Sequence, residues 1–540
     1  MAWAKRLLAL GFLGLGACGP SVADYCAPGT PECTVPEGGW LDGQVEGAAE
    51  SGAAGGDGGA DAPSCNAAST PHDAPCVIDA AYGVFVSPSG SDGATGTRSA
   101  PLRTIGHGMD VAKAASKRLY VCAGTYPEQL TMTASRDGVN VFGALDCATW
   151  AYDTNKRAIV APTAAGYALK VEGLQAGAVF EDLEFDAQDA MAPGGSSVAV
   201  FVRSSQNVAF HRVVIAAGNG ADGAPGSSAA SHLDGGAGSS NWYGTPPSYP
   251  ELNGMSAGDA GAAAAVTCTC ADHTTSTGGA GGGPMNIPTP SAGLPSYAGA
   301  GAGAAGANAA ACGSGGTAQN GGDAPWSASN PVVALPGVLS GTGWVSGVSV
   351  DGANGKLGQG GGGGGNGRLS EGSGGGGGCG GCGGAGGSGG TAGGSSFAIL
   401  SYQSALTLIS CTMTAKAAGN GGRGGSGEPG QVGGGFGYPL GNTVSSGCAG
   451  GAGGAGAGGD GAQGGPGGLS LGVGYTGTLP TIDGAVVMQA TTRTGIATGT
   501  PGAGGAGGAR GPAAANSTGT AGSDGVSGLD GNAAAVESLQ

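Results

Sequence analysis

Two distant stretches carry one apolar ladder, and both run into a glycine-rich outlet: "VAFHRVVIAAGNGADGAPG" from Val208 and "LTLISCTMTAKAAGNGGRGGSG" from Leu406. Apolar positions fall at i, i+2, i+5 and i+7, namely Val208, Phe210, Val213 and Ile215, then Leu406, Leu408, Cys411 and Met413. Ala178, Phe180, Leu183 and Phe185 hold the same spacing, and Gly343, Val345, Val348 and Val350 a weaker version of it. Residues two apart share one face of a strand, so the extra central residue predicts a bend between two short strands that both point inward. An amphipathic helix would repeat at i, i+3, i+4 and i+7, with fewer β-branched residues. Recurrence of the strand-bend-strand unit predicts a solenoid.

Composition agrees with a repeat. Glycine supplies 126 of 540 residues and aromatics only 5%, which excludes one large conventional core, and there is no strict Gly-X-Y period of a collagen. Glycine tracts follow Ile215, Val350 and Met413, and a fourth runs on toward residue 540. They are predicted insertions at one corner of successive coils, a placement that gathers them on one face. Two conformations fit them. Gly-Gly-X tracts can pack as polyglycine-type extended helices, as a resemblance to glycine-rich bacterial surface proteins implies. They can equally be flexible, since glycine loses the most entropy on ordering and brings no side chain to bury.

The N-terminal stretch "MAWAKRLLALGFLGLGAC" has Lys5 and Arg6, an apolar run over 7–15 and small residues up to Cys18. It reads as a signal peptide, because a membrane span needs about 20 apolar residues. Leu15-Gly16-Ala17-Cys18 resembles the lipobox of bacterial lipoproteins, which implies acylation of Cys18. Gly19 stands where that family places an inner-membrane retention Asp, so the expected anchor is in the outer membrane. A Pro-, Gly- and acid-rich stalk to residue 76 follows. The formal charge of -17 comes from few charges, and only six of 19 Lys and Arg lie beyond residue 215. With no basic stripe, nucleic acid is not an expected partner.

With Cys18 assigned to lipid, thirteen of the 14 cysteines remain, to be read first as disulfides with one left over. Cys26 with Cys33, and Cys65 with Cys76, would close small loops. "CGGC" at Cys379 and Cys382 and "TCTC" at Cys268 and Cys270 lack the companion ligands of a zinc or redox centre.

Residues 84–87 and 119–122 read as strands around a helix over 104–115, in which Ile105, Met109 and Ala112 form an apolar face. The segments "SAPLRTIGHGMDVA" and "LYVCAGTYPEQL" resemble the N-terminal end of right-handed parallel β-helices of the pectate-lyase-like superfamily. The resemblance covers roughly residues 82–215 and resumes over 395–415. It implies an all-β solenoid with an N-terminal capping helix, and a cap of this kind is what exposed strand edges require. Cys122 and Cys147, 25 residues apart, would then sit on neighbouring coils and pair.

The expected organisation is a signal peptide over 1–17, a lipidated stalk over 18–76, and cap and coils over 77–215. Insertions over 216–342 and 351–394 flank a coil at 343–350. A coil over 395–415 precedes a glycine-rich segment over 416–540, with room for further coils.

One stretch carries candidate chemistry. In "FEDLEFDAQD", Asp182, Glu184 and Asp186 are expected to project outward at alternate positions about 7 Å apart. Such carboxylates suit Ca2+ or glycoside hydrolysis, with His211 and Arg212 as companions from the next coil. The superfamily contains polysaccharide lyases and glycosidases, but its paired Asp-Asp motif is absent here, and the one Gly-His-Gly, at Gly106-His107-Gly108, falls in the helix over 104–115. Glycine fingerprints arise by chance in such a composition, and "GANGKLG" lacks the Ser or Thr of a phosphate loop. The expected function is a non-catalytic envelope lipoprotein for adhesion, matrix interaction or envelope architecture, held to the membrane through Cys18 and touching polysaccharide or other surface proteins. The alternative is a carbohydrate-active enzyme working through the outward carboxylates.

Overall fold

Three sheets of parallel strands are threaded in a fixed order. In the computed structural model, residues 65–229, 245, 262–283, 288–296, 305–306, 318–324, 335–366, 372–439, 447–515 and 517–539 are described. The first sheet holds Val141–Leu145, Ala178–Glu181, Val208–His211 and Leu406–Ile409. The second holds Ala158–Val160, Leu183–Asp186, Val214–Ala216 and Thr412–Thr414, and the third Leu169–Glu172, Ser197–Arg203, Ser396–Tyr402 and Ser470–Thr476. Along the chain the visits run third, first, second, then third again one level on, so every level is one triplet. The fold is therefore all-β in its regular structure, with one α-helix among the described residues.

The ladder positions build the core. Val208 pairs with Ala178 and Leu406, and Phe210 with Phe180 and Leu408. Val213, Ile215, Leu183, Phe185 and Met413 turn into the same apolar cluster. Phe180 and Phe210 stack with ring centroids 5.2 Å apart, and Phe185 meets Phe180 edge-on at 6.0 Å. The extra central residue is the bend: Asp182, Arg212 and Ser410 stand in the left-handed region at φ 57°, 53° and 51°. A left-handed corner turns the chain sharply enough for the next strand to point inward again, at a cost of order 1 kcal/mol for a residue with a Cβ.

At the N-terminal end, α1 (Ile105–Ala114) covers the core with Ile105, Met109 and Ala112, all buried. Its first amides are capped by the Thr104 hydroxyl and by Glu128, which accepts from the N–H of Ile105 and Gly106. Cys65 pairs with Cys76 and Cys122 with Cys147. Cys18, Cys26 and Cys33 lie outside the described residues.

Residues 343–350 do not form a coil. Gly343–Ser346 pairs antiparallel with Gly337–Ser340, leaving Val345, Val348 and Val350 exposed. The two-residue turn at Gly341 and Thr342 favours a hairpin over the weak i, i+2, i+5, i+7 spacing. Leu339 and Trp344 of this hairpin cover an apolar outer face of the third sheet, against Phe201, Phe397 and Leu400.

Among the described residues the glycine tracts are extended chains packed side by side. Gly352, Gly355, Gly358 and Gly361 donate in turn to the carbonyls of Gly387, Gly384, Gly381 and Gly378 at 2.7–2.8 Å. The partner tract hands its own bonds on, from Gly378, Gly381 and Gly384 to Gly451, Gly454 and Ala457. Bonding every third residue to a neighbour, with none inside the chain, is the signature of a threefold extended helix of the polyproline type. A Cβ added at Gly394, Gly363 or Gly456 would overlap the carbonyl oxygen of Gly195, Ala280 or Cys382.

Two oxygen-bearing residue types fasten the tracts. Ser197, Ser396 and Ser470 each open a strand of the third sheet and are buried. Their hydroxyls accept the N–H of Gly218, Lys416 and Gly499, so each tract is pinned where it leaves the second sheet. Elsewhere an Asx-Gly pair grips one residue of a neighbour at two points. Asp222 accepts the Asn420 N–H at 2.6 Å while Gly223 donates to the Asn420 carbonyl. Asn420 and Gly421 grip Ala503, and Asp460 and Gly461 grip Ser523, in the same way.

The two cysteine pairs fulfil each other. Cys268 lies on the strand Val266–Thr269 and Cys270 just past its end, two apart and facing the same way, while Cys379 and Cys382 lie three apart on a threefold tract and so share a face. The bonds are Cys268 to Cys379 and Cys270 to Cys382. Cys448 is also disulfide-bonded, and Cys411 is free.

Candidate functional site

The residues that the sequence grouped divide between two places. At the corner between the first and second sheets, Arg212 stands one level from Asp182, both at left-handed bends. Its Nε and one terminal nitrogen donate to the two carboxylate oxygens of Asp182 at 3.0 Å each, and that nitrogen also reaches Glu181 at 2.5 Å. Glu181 meets His211 Nδ1 at 3.4 Å, its register partner. Tyr152 donates to Asp182 at 2.8 Å, and His72 Nδ1 stands 3.1 Å from the Tyr152 hydroxyl.

Glu181 and Asp182 are only 1% and 4% exposed, so this is a covered charge cluster. Burial works against ionised Glu181, but hydrogen bonding to His211 and the charge of Arg212 outweigh it and hold the carboxyl below its usual range. Burial likewise opposes the charge on Arg212, and the bonds and charges of Asp182 and Glu181 prevail and raise its pKa. Burial and the bond to Asp182 push the Tyr152 phenol up to about 12. The cluster is built to stay charged and paired.

Glu184 and Asp186 go elsewhere. They sit on the outward side of Leu183–Asp186, away from the bend. Burial, and for Glu184 the neighbouring Asp186 charge, raise both carboxyls. Asp186 lines an open cleft of about 640 Å³ floored by Ala161, Ala216 and Ala217, with Asp189 and Lys416 beside it. Asp189 is held low by the Asn219 amide, and Lys416 stands 3.6 Å from it. Of the two raised carboxyls only Asp186 lines this cleft, and Glu184 lies outside it.

The expected Ca2+ trio of Asp182, Glu184 and Asp186 is therefore not assembled. The left-handed bend turns Asp182 to Arg212, and among the described residues no group of three or more His, Cys, Asp or Glu is placed to hold a metal ion. Glu181, Tyr152 and His72 were missed. Superposing "AVFEDLEF" on "VAFHRVVI" would have found the first, since Glu181 falls on His211 and Asp182 on Arg212. Nothing in the local sequence of Tyr152 or His72 signals their arrival.

Residues 88–145 match a family described as a protein of unknown function (DUF1565), which is associated with right-handed β-helix proteins. The matched stretch contains the capping helix and the "LYVCAGTY" strand and turn. No curated protein and no solved structure matches.

Proposed function

We propose that this chain is an exported lipoprotein, anchored through Cys18 in the outer membrane, whose strand triplets wind as a right-handed parallel β-helix. The handedness follows the general rule for parallel crossovers and the match to a β-helix-associated family. Its role is non-catalytic: it presents a broad, weakly charged glycine-rich face for adhesion, matrix interaction or envelope architecture. The observation that carries this reading is the bundle of tracts: those over 351–366, 372–395 and 447–469 bond to one another, and those that begin at Gly218, Lys416 and Gly499 are pinned to the strands by Ser197, Ser396 and Ser470. Such a bundle has a rigid surface with few side chains to bind a small molecule deeply. The test is twofold. Mass analysis of the N-terminal peptide should find acylated Cys18, and cells whose protein lacks 416–469 should lose adhesion to matrix or to each other. Unchanged adhesion, with the truncated protein still at the surface, would sink the display role.

A second reading is favoured by the cleft beside Asp186. Two raised carboxyls on one strand suit a carbohydrate-active enzyme, a polysaccharide lyase or glycosidase. New reducing ends or unsaturated products from a polysaccharide panel, abolished by Glu184→Gln and Asp186→Asn, would establish it. No turnover from folded protein would leave the display role alone.

A further inference from the structure

A second cleft, of about 610 Å³, opens at the N-terminal end of the strand stack between the C-terminal end of α1 and the turn at residues 137–140. Lys113, Lys117 and Arg118 line it. Elsewhere cations such as Arg136, Arg203 and Arg212 are paired with carboxylates, but these three are held by main-chain oxygens instead. Lys113 donates to the carbonyl of Asp137, Lys117 to that of Ala80, and Arg118 to those of Ser69 and Ala67. A main-chain carbonyl positions an ammonium or guanidinium without cancelling its charge.

The one carboxylate in the lining is already engaged. Asp137 accepts the N–H groups of Gln175, Ala176 and Gly177 at 2.9–3.0 Å. Burial works against its charge, but those bonds prevail, with a smaller contribution from the Lys113 charge, and keep its pKa low, so Lys113 is partly offset while Lys117 and Arg118 face no carboxylate in the lining. Asn140 uses its carbonyl oxygen on the Val179 N–H, which leaves its amide hydrogens as donors. The negative end of α1 contributes about half a charge against three full positive ones. In a chain of net charge -17, this cleft concentrates positive charge and donors.

We propose that the cleft binds a phosphate-bearing ligand through Lys113, Lys117 and Arg118. Lys113 and Lys117 act as point charges on the phosphate oxygens, and Arg118, fixed by two carbonyls, sets the edge of the site. Ala67 lines the cleft beside Arg118. A phospholipid headgroup and a free phosphate ester share this chemistry.

The test uses the full chain carrying Cys18→Ser, which cannot be acylated, so its outcome is separate from the fate of the lipoprotein reading. Titration with inorganic pyrophosphate is followed calorimetrically, alongside flotation with phosphatidylglycerol-phosphatidylcholine vesicles and with pure phosphatidylcholine vesicles. Saturable pyrophosphate binding is expected, weakened about tenfold or more by Lys113→Gln with Lys117→Gln and by added salt. Lys156→Gln, at a cation paired with Asp146, should leave it unchanged. Retention on the phosphatidylglycerol vesicles as well would name a headgroup as the source, and pyrophosphate binding without retention a soluble ester. Absence of binding in both arms, or binding that survives the double substitution in a folded protein, overturns the proposal.

Discussion

The strand stack and the glycine bundle bury their backbones by opposite means. In the stack, side chains set the register: Phe180, Phe210 and Leu408 occupy equivalent places on consecutive levels, and a slip by one residue would expose them all. In the bundle, the absence of side chains allows tracts to approach until N–H and carbonyl groups meet in several directions. The tract over 447–469 donates to Gly362, to Gly434 and Gly419 along one tract, and to Val526, so it bonds to three different neighbours. Register there is set by small oxygen-bearing side chains, Asx on the tract surfaces and Ser at the roots. A backbone can therefore be saturated with almost no apolar side chains, provided glycine recurs wherever two tracts touch.

The sharpest way to break this comparison is to exchange the two logics. Gly456 lies between Ala455 and Ala457, both only 3% exposed, yet a Cβ at 456 would collide with the Cys382 carbonyl. Gly456→Ala should cost about 3 kcal/mol or more, since a rigid backbone rather than a flexible side chain must give way. Phe210→Ala, which empties the centre of the stack, should cost about 3–5 kcal/mol. Hydrogen exchange resolved by peptide distinguishes the regions. The first substitution should loosen 372–439 and 447–469 and leave 141–145 protected, and the second should do the reverse. Equal loss everywhere in both variants would mean that stack and bundle unfold as one unit.

The two regions also differ in how far the sequence discloses them. The i, i+2, i+5, i+7 ladder, the capping helix and two disulfides were legible because each is a local pattern with a periodic or spacing signature. The same signature misled at 343–350, where a two-residue turn decided the pairing. Order in the tracts was undecidable from composition, because glycine suits both a flexible chain and a close-packed one. The Asx-Gly pairs that favour order were visible in the sequence, but a two-residue pattern acquires meaning only once the neighbouring tract is in place. The split of Asp182 from Glu184 and Asp186 was hidden for a related reason: strict alternation places all three on one face, and the left-handed bend at Asp182 breaks the alternation at that residue.

The charge cluster at that bend sharpens the comparison at the stack's corner. Arg212→Met would leave Glu181 and Asp182 covered without their cation, and should cost about 3 kcal/mol at neutral pH. The sign of the pH dependence follows from Glu181. Its folded pKa lies below the unfolded value, so its contribution is present above about pH 4.3 and is lost as pH falls through the folded pKa. Thermal melts from pH 7 downward should show the wild type losing stability over that acid range more steeply than Arg212→Met. Parallel curves would show that the pairing stores no such stability. Glu184, whose pKa is raised, has the opposite sign, so Glu184→Gln should leave stability at neutral pH unchanged or slightly higher.

The smallest effect belongs to a single Asx-Gly clamp, and it isolates what holds one tract to the next. Asp222 is exposed, so replacing it by Ala removes one hydrogen bond to the Asn420 amide without opening a cavity, and should cost about 1 kcal/mol. Asp222→Asn keeps an acceptor oxygen in place and should recover most of that loss. The Gly223 donor to the Asn420 carbonyl is untouched in both variants, so the clamp drops from two points to one rather than vanishing. Amide exchange at Asn420 reads this directly: faster in the Ala variant, near the original rate in the Asn variant, and unchanged at Gly456 in both. If charge rather than the oxygen's position held the tracts, the Asn variant would behave like the Ala variant. The bundle would then owe its register to electrostatics, and its resemblance to the stack, in which geometry selects the partner, would end there.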